Sequence, residues 1–138
     1  MNILELTNNI KSGRSTYDVT HDIYFAFQRC SRDFNPLHTD VQYATNHGFK
    51  DIVMYGNILN AFVSHFIGMK LPTRDVIIQS QDISFHKPVF LNDKIELRYE
   101  LDNVCEAANS ISFKLKFYKM MEPKPLMVAK GHVSIGLL

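Results

Sequence analysis

The sequence predicts an α+β domain in which an antiparallel sheet wraps around one long buried central helix. Three observations carry this expectation. Ile95, Leu97, Tyr99 and Leu101 alternate with Lys94, Glu96, Arg98 and Glu100, and Ile111, Phe113, Leu115 and Phe117 alternate with Ser112, Lys114, Lys116 and Tyr118. This two-residue period is that of strands with one dry face and one wet face. Between Gly56 and Gly68, apolar residues Ile58, Leu59, Ala61, Phe62, Val63, Phe66 and Ile67 cover most of a helical circumference, so this helix belongs inside something. A chain of 138 residues, 46% hydrophobic, without an internal repeat or a linker-like stretch, has room for one core, and residues 1–138 read as a single domain. An apolar rod and a one-sided sheet satisfy each other when the sheet wraps the rod.

The elements follow in order. Thr20 is placed to cap a first short helix, with Asp22 in its opening turn and Ile23, Phe27 and Cys30 at helical spacing. Asn35 and Pro36 punctuate a turn, and Thr39 and Asp40 can cap a second short helix that carries Val41 and Ala44 and ends near Asn46 and Gly48. The central helix runs from Gly56 to Gly68 or Met69 and stops before Leu71 and Pro72. Asn57, Asn60, Ser64 and Gly68 share one narrow arc of it, a small and polar stripe suited to a wet cleft, to backbone bonding or to a second subunit. His65 falls off that stripe and reads as structural. Val76 to Phe85 and Leu126 to Ile135 complete the strands, with the phase slipping at Ser80 and Gln81 as at a bulge.

Composition excludes several function classes. A net charge of +1 gives no electrostatic reason to expect nucleic acid or an acidic membrane surface, and Lys114 and Lys116 alternate as solvated strand residues do. Cys30 and Cys105 lack metal or redox spacing and read as reduced core thiols, which fits the cytoplasm. The first ten residues lack a basic region followed by a long apolar run, and no stretch has the length of a membrane span. His38, Asp40 and His47 do not form a recognisable metal-ligand spacing, so neither metal nor cofactor is expected.

Chemistry concentrates in Ser31 to His38, where a turn brackets a carboxylate, Asp33, and an imidazole, His38. Pro36 keeps Asn35 out of the α region, so this stretch is not one helix with the two groups on distant faces. Both can then face one cleft, as a general acid/base pair whose proton affinities are separated by environment. Two bland roles fit the same spacing: Asp33 capping the turn, and His38 as an ordinary helix-start residue.

The wider string resembles the MaoC-like family of R-specific enoyl-thioester hydratases and 3-hydroxyacyl-thioester dehydratases. The resemblance rests on Phe27, on Ser31 to His38 with Asp33, Asn35, Pro36 and His38, on Asp40, Tyr43 and Ala44, and on Phe49, Ile52, Val53 and Gly56 leading into the apolar helix. It continues through Leu71 and Pro72 to Ile83–Asp93 (ISFHKPVFLND) and is looser afterwards. It implies a hot-dog fold paired into a homodimer, with the site near the subunit boundary and an acyl-CoA or acyl carrier protein thioester as substrate. By the same resemblance Asp33 and His38 are the catalytic pair acting on water, and the backbone N–H of Gly56 donates to the thioester oxygen as it gains charge. Asn35 braces the loop or its water, Ser64 lies near the acyl group, and Tyr55 and Asn57 shape the substrate pocket.

Three residues depart from the family's pattern. Arg32 stands where many relatives have glycine, and Tyr55 and Asn57 flank Gly56 where relatives have histidine and methionine. Glycine adopts positive φ cheaply and arginine does not, so Arg32 is a candidate for displacing Asp33. Lys87, Arg74 and Arg32 are the cations available to a carrier phosphate. Two rival readings share the fold: a non-catalytic acyl-thioester-binding protein and an acyl-thioesterase. Asp33, Asn35 and His38 together argue for hydration over both.

Overall fold

The computed structural model describes residues 1–138 and contains five helices, a π-helical turn and five strands. Helices are α1 (Ile3–Asn9), α2 (His21–Ser31), α3 (Pro36–Thr39), α4 (Val41–Asn46) and α5 (Ile58–His65), the last continued by a π-helical turn, Phe66–Lys70. Strands are β1 (Ser12–Asp18), β2 (Val76–Phe85), β3 (Lys94–Cys105), β4 (Ser110–Lys119) and β5 (Leu126–Leu137), in one antiparallel sheet of order β1-β3-β4-β5-β2.

The sheet curls around α5. Ile95 and Leu97 of β3, Ile111, Phe113, Leu115 and Phe117 of β4, and Val133 and Ile135 of β5 share one buried cluster with Ile58, Leu59, Phe62, Val63 and Phe66. Aromatic contacts fix the helix on the sheet: Phe66 stacks on Tyr99 at 4.1 Å and meets Phe113 edge-on at 5.5 Å, and Phe62 stacks on Tyr17 at 4.4 Å. The register of β2 on β5 shifts between Ile78 and Ser80, where the sequence phase slips.

Four features differ from expectation. The helix α1 and the edge strand β1 were not foreseen. Asn2 and Glu5 form a reciprocal capping box that starts α1, while β1 is a polar strand whose Gly13, Ser15 and Tyr17 turn half-inward. The central helix is buried along one side only within the single chain, because Ala61, Ser64, His65 and Gly68 lie open. Cys30 is exposed and Cys105 half-buried, since α2 turns only Tyr24 fully inward and Cys105 ends β3 at a turn. Finally, Glu96 of the wet face is buried, its carboxylate held by Arg98, whose guanidinium lies over the Tyr118 ring at 4.0 Å.

Candidate active site

Two short helices and the lead-in to α5 deliver the side chains. Thr20 accepts from the Ile23 N–H and starts α2, as expected. The helix ends at Arg32, which has φ 58° and ψ 26°, the left-handed conformation that glycine takes without strain. Arginine therefore adopts the glycine-type turn instead of forcing another, and its N–H still donates to Gln28 O at 2.9 Å. Asp33 follows directly. Its Oδ1 accepts the Asn35 N–H at 3.0 Å, so the turn-capping role foreseen for it is real but occupies one carboxylate oxygen. Asn35 then caps α3 by accepting the Leu37 N–H at 2.9 Å; its side chain organises the loop and does not line the cleft.

His38 lies on α3 with its ring fixed on two sides. Its Nδ1 is 2.6 Å from Val53 O, and a carbonyl only accepts, so Nδ1 carries a proton and, in the neutral ring, Nε2 presents a lone pair. Nε2 stands 3.9 Å from Asp33 Oδ2, too far for a direct hydrogen bond. The imidazole is 15% exposed and the carboxylate 45%, so the pair is reachable from solvent on the Asp33 side. Tyr24 donates its hydroxyl to His38 O at 2.6 Å, and burial, reinforced by the Tyr55 phenol and by the Asp51 and Asp33 carboxyls, pushes the Tyr24 pKa well above the usual 10.0.

Asp33, His38, Gly56 and Asn57 line one cleft of about 280 Å³ with Phe27, Tyr55 and Phe85. The Gly56 N–H has no hydrogen-bond partner within the chain and precedes α5, where unpaired amides favour negative charge. A Cβ on Gly56 would stand 3.0 Å from the Phe85 ring, so the absent side chain leaves room for that ring. Asn57 is exposed, and its Oδ1 accepts from Asn60 Nδ2 at 2.8 Å.

One residue expected near the substrate, Ser64, lies outside the cleft, while the Tyr55 ring lines it. Ser64 lies two turns farther along the open face of α5 and does not line the cleft. Tyr55 is 2% exposed; its ring flanks the cleft, but its hydroxyl turns inward and donates to Asp33 O at 2.6 Å. His65 bonds Tyr17 through Nδ1 at 2.9 Å, the structural role foreseen for it. A second cavity of about 320 Å³, lined by Phe49, Val53, Met54, Leu59 and Val89, among others, shares Gly56 and Phe85 with the cleft. Sequence reasoning did not find it, because its walls come from two distant segments, residues 49–59 and 85–89.

Comparison with known proteins gives a consistent picture. The chain is 36% identical over 81 residues to an (R)-specific enoyl-CoA hydratase of Aeromonas caviae, a match spanning 59% of this chain and 60% of that protein. It is 26% identical over 127 residues, 92% of this chain and 74% of the relative, to the mitochondrial 3-hydroxyacyl-(acyl-carrier-protein) dehydratase FERN of Solanum lycopersicum. Among solved structures, an (R)-hydratase from A. caviae involved in PHA biosynthesis superposes with a TM-score of 0.82 at 24% identity, over 93% of this chain and 95% of that one. An R-hydratase of Pseudomonas aeruginosa gives 0.80 at 24% identity, over 92% and 79%. These establish the hot-dog fold. Residues 8–120, with Asp33, His38 and Gly56 among them, match the MaoC like domain, and the chain belongs to that family.

Proposed function

We propose that the protein catalyses R-specific hydration of trans-2-enoyl thioesters, or the reverse dehydration of R-3-hydroxyacyl thioesters, as a carbon–oxygen lyase. The observation that carries this reading is the gathering of Asp33, His38 and the unpaired Gly56 N–H in one cleft. A water held between Asp33 Oδ2 and His38 Nε2 meets an acceptor on each side, because the Nδ1 proton is committed to Val53 O. As the water oxygen bonds to the β-carbon, one of its protons passes to this pair, which delivers that proton to the α-carbon and returns to its starting state. Negative charge that gathers meanwhile on the thioester oxygen is met by the Gly56 N–H.

The second cavity suits the acyl chain, since it is largely apolar and joins the cleft at Gly56 and Phe85. Lys87 lines that cavity and is the cation placed for a carrier phosphate, of coenzyme A or of acyl carrier protein; Arg74 is engaged with Leu71 O. The open face of α5 and the unpaired edge of β2, where Ile77 and Phe85 lie exposed, support pairing as a homodimer. No helix is long and apolar enough to cross a membrane, and the two unpaired cysteines fit a reducing compartment such as the cytoplasm.

The test follows loss of enoyl absorbance with crotonyl-CoA and longer trans-2-enoyl-CoAs, using wild type beside Asp33→Asn and His38→Ala. Hydration to the R product that either substitution abolishes supports the reading. Activity that survives both removes it.

A further inference from the structure

The loop that carries Asp33 is poorly anchored by itself. Arg32, Phe34 and Asn35 are exposed, Phe34 to 63%. The loop's local hydrogen bonds all stay within residues 28–39: Arg32 N–H to Gln28 O, Asp33 N–H to Ser31 Oγ, Asn35 N–H to Asp33 Oδ1, and the Thr39 hydroxyl back to Phe34 O and Asn35 O. One hydrogen bond ties Asp33–Asn35 to a different part of the chain, the 2.6 Å bond from the Tyr55 hydroxyl to Asp33 O. It closes on the carbonyl of the residue directly after Arg32, the one non-glycine residue of this loop in the left-handed region.

The residue that makes this bond is itself packed on three sides. Tyr55 is buried between Tyr24, Phe27 and His38, with ring centroids 5.1, 5.2 and 4.2 Å away, and it lies nearly parallel to the imidazole, at 26°. Gln28 Nε2 donates to its hydroxyl at 3.0 Å, which leaves the phenolic proton for Asp33 O. Burial raises the Tyr55 pKa above its ordinary 10.0, the Gln28 hydrogen bond opposes this, and the Asp33 carboxylate adds to it; the hydroxyl therefore keeps its proton at neutral pH.

We infer that Tyr55 is a positioning residue for the acid/base pair, whose hydroxyl holds the Asp33 backbone in the turn that Arg32 disfavours and whose ring sets the plane of His38. The inference rests on the proposed hydration chemistry and adds a residue whose hydroxyl is turned to the Asp33 backbone and away from the cleft. It also links two departures from the family's pattern. A glycine at position 32 takes the left-handed turn unaided, whereas an arginine there needs an external hold, and Tyr55 supplies it. Removing the hydroxyl should matter only while position 32 carries a side chain.

The test is a double-mutant cycle of Tyr55→Phe and Arg32→Gly, beside Asp33→Asn, read by kcat and KM on crotonyl-CoA and by amide hydrogen exchange across residues 32–38. Tyr55→Phe is expected to lower kcat about 10- to 100-fold, the cost of a misplacement on the order of 1 Å, with KM changing by less than about twofold. Exchange across the loop should quicken about tenfold or more while that of β3 and β4 is unchanged. Adding Arg32→Gly should recover most of both losses. Unchanged kcat and loop exchange in Tyr55→Phe, or losses that Arg32→Gly leaves in place, overturn the inference. Full activity in Asp33→Asn overturns the hydration chemistry instead, and loop exchange then decides the role of Tyr55 by itself.

Discussion

The sheet-and-helix body and the loop from Arg32 to His38 are held by opposite means. In the body, one apolar cluster of 25 buried residues spreads the load, so each contact is backed by several others. The loop has almost no apolar load of its own and is held by individual polar contacts: Tyr55 on Asp33 O, Tyr24 on His38 O and Val53 O on the His38 ring. Redundant packing tolerates drift in any one residue, while a loop fixed by single hydrogen bonds concentrates consequence in a few atoms. The body should therefore report substitutions as stability and the loop should report them as rate.

The largest departure between the two should come from the acid/base pair. Asp33→Asn or His38→Ala is expected to lower kcat about 10³-fold or more, within the range of general acid/base effects, with a melting temperature close to wild type. A thermal scan beside the rate assay checks both halves. Phe113→Ala should do the reverse, costing about 3–5 kcal/mol in chemical denaturation because the ring is fully buried against Phe66 and Tyr99, with kcat preserved in the folded fraction.

Gly56→Ala sits on the border of the two regions. Its methyl group meets the half-exposed Phe85 ring, which can swing away, so the fold should survive while the displaced ring and the added methyl crowd the cleft and kcat falls about 10- to 100-fold. A smaller effect is expected from Tyr24→Phe, about 1–2 kcal/mol of stability from the lost bond to His38 O, visible as a lower urea midpoint.

The smallest effect is alkaline. Tyr24 and Tyr55 have pKa values raised above 10.0 in the folded chain, so between pH 10 and those values the unfolded chain loses protons that the folded chain keeps. Their contribution is complete below pH 9 and is lost as pH rises past 10, by up to about 1.4 kcal/mol per pH unit for each tyrosine. Urea midpoints measured from pH 8 to 10.5 should stay flat and then fall, and Tyr24→Phe should flatten the fall.

The same division decides what was legible in the sequence. Strands β3 and β4 could be read because each alternates over a long run, and α5 because apolar residues crowd its helical period. Strand β1 could not, since six of its seven residues are polar or glycine and it pairs along an edge where little burial is required. The helix α1 did carry a local signal, Asn2 three residues before Glu5, which its shortness obscured. In the site, Asp33, His38 and Gly56 stood out by motif. The hold of Tyr55 on Asp33 joins residues 22 apart in sequence through a backbone carbonyl, an atom every residue owns, and no pattern of side chains announces it.

The unpaired donor of Gly56 is peculiarly resistant to mutation. A main-chain N–H cannot be deleted by a point mutation; it can only be moved, and what moves it is a side chain at position 56 or a change in the start of α5. Exchanging Tyr55 or Asn57 therefore changes what surrounds this donor without removing the donor itself. Mutation can exchange the furniture around this backbone atom but cannot take the atom away.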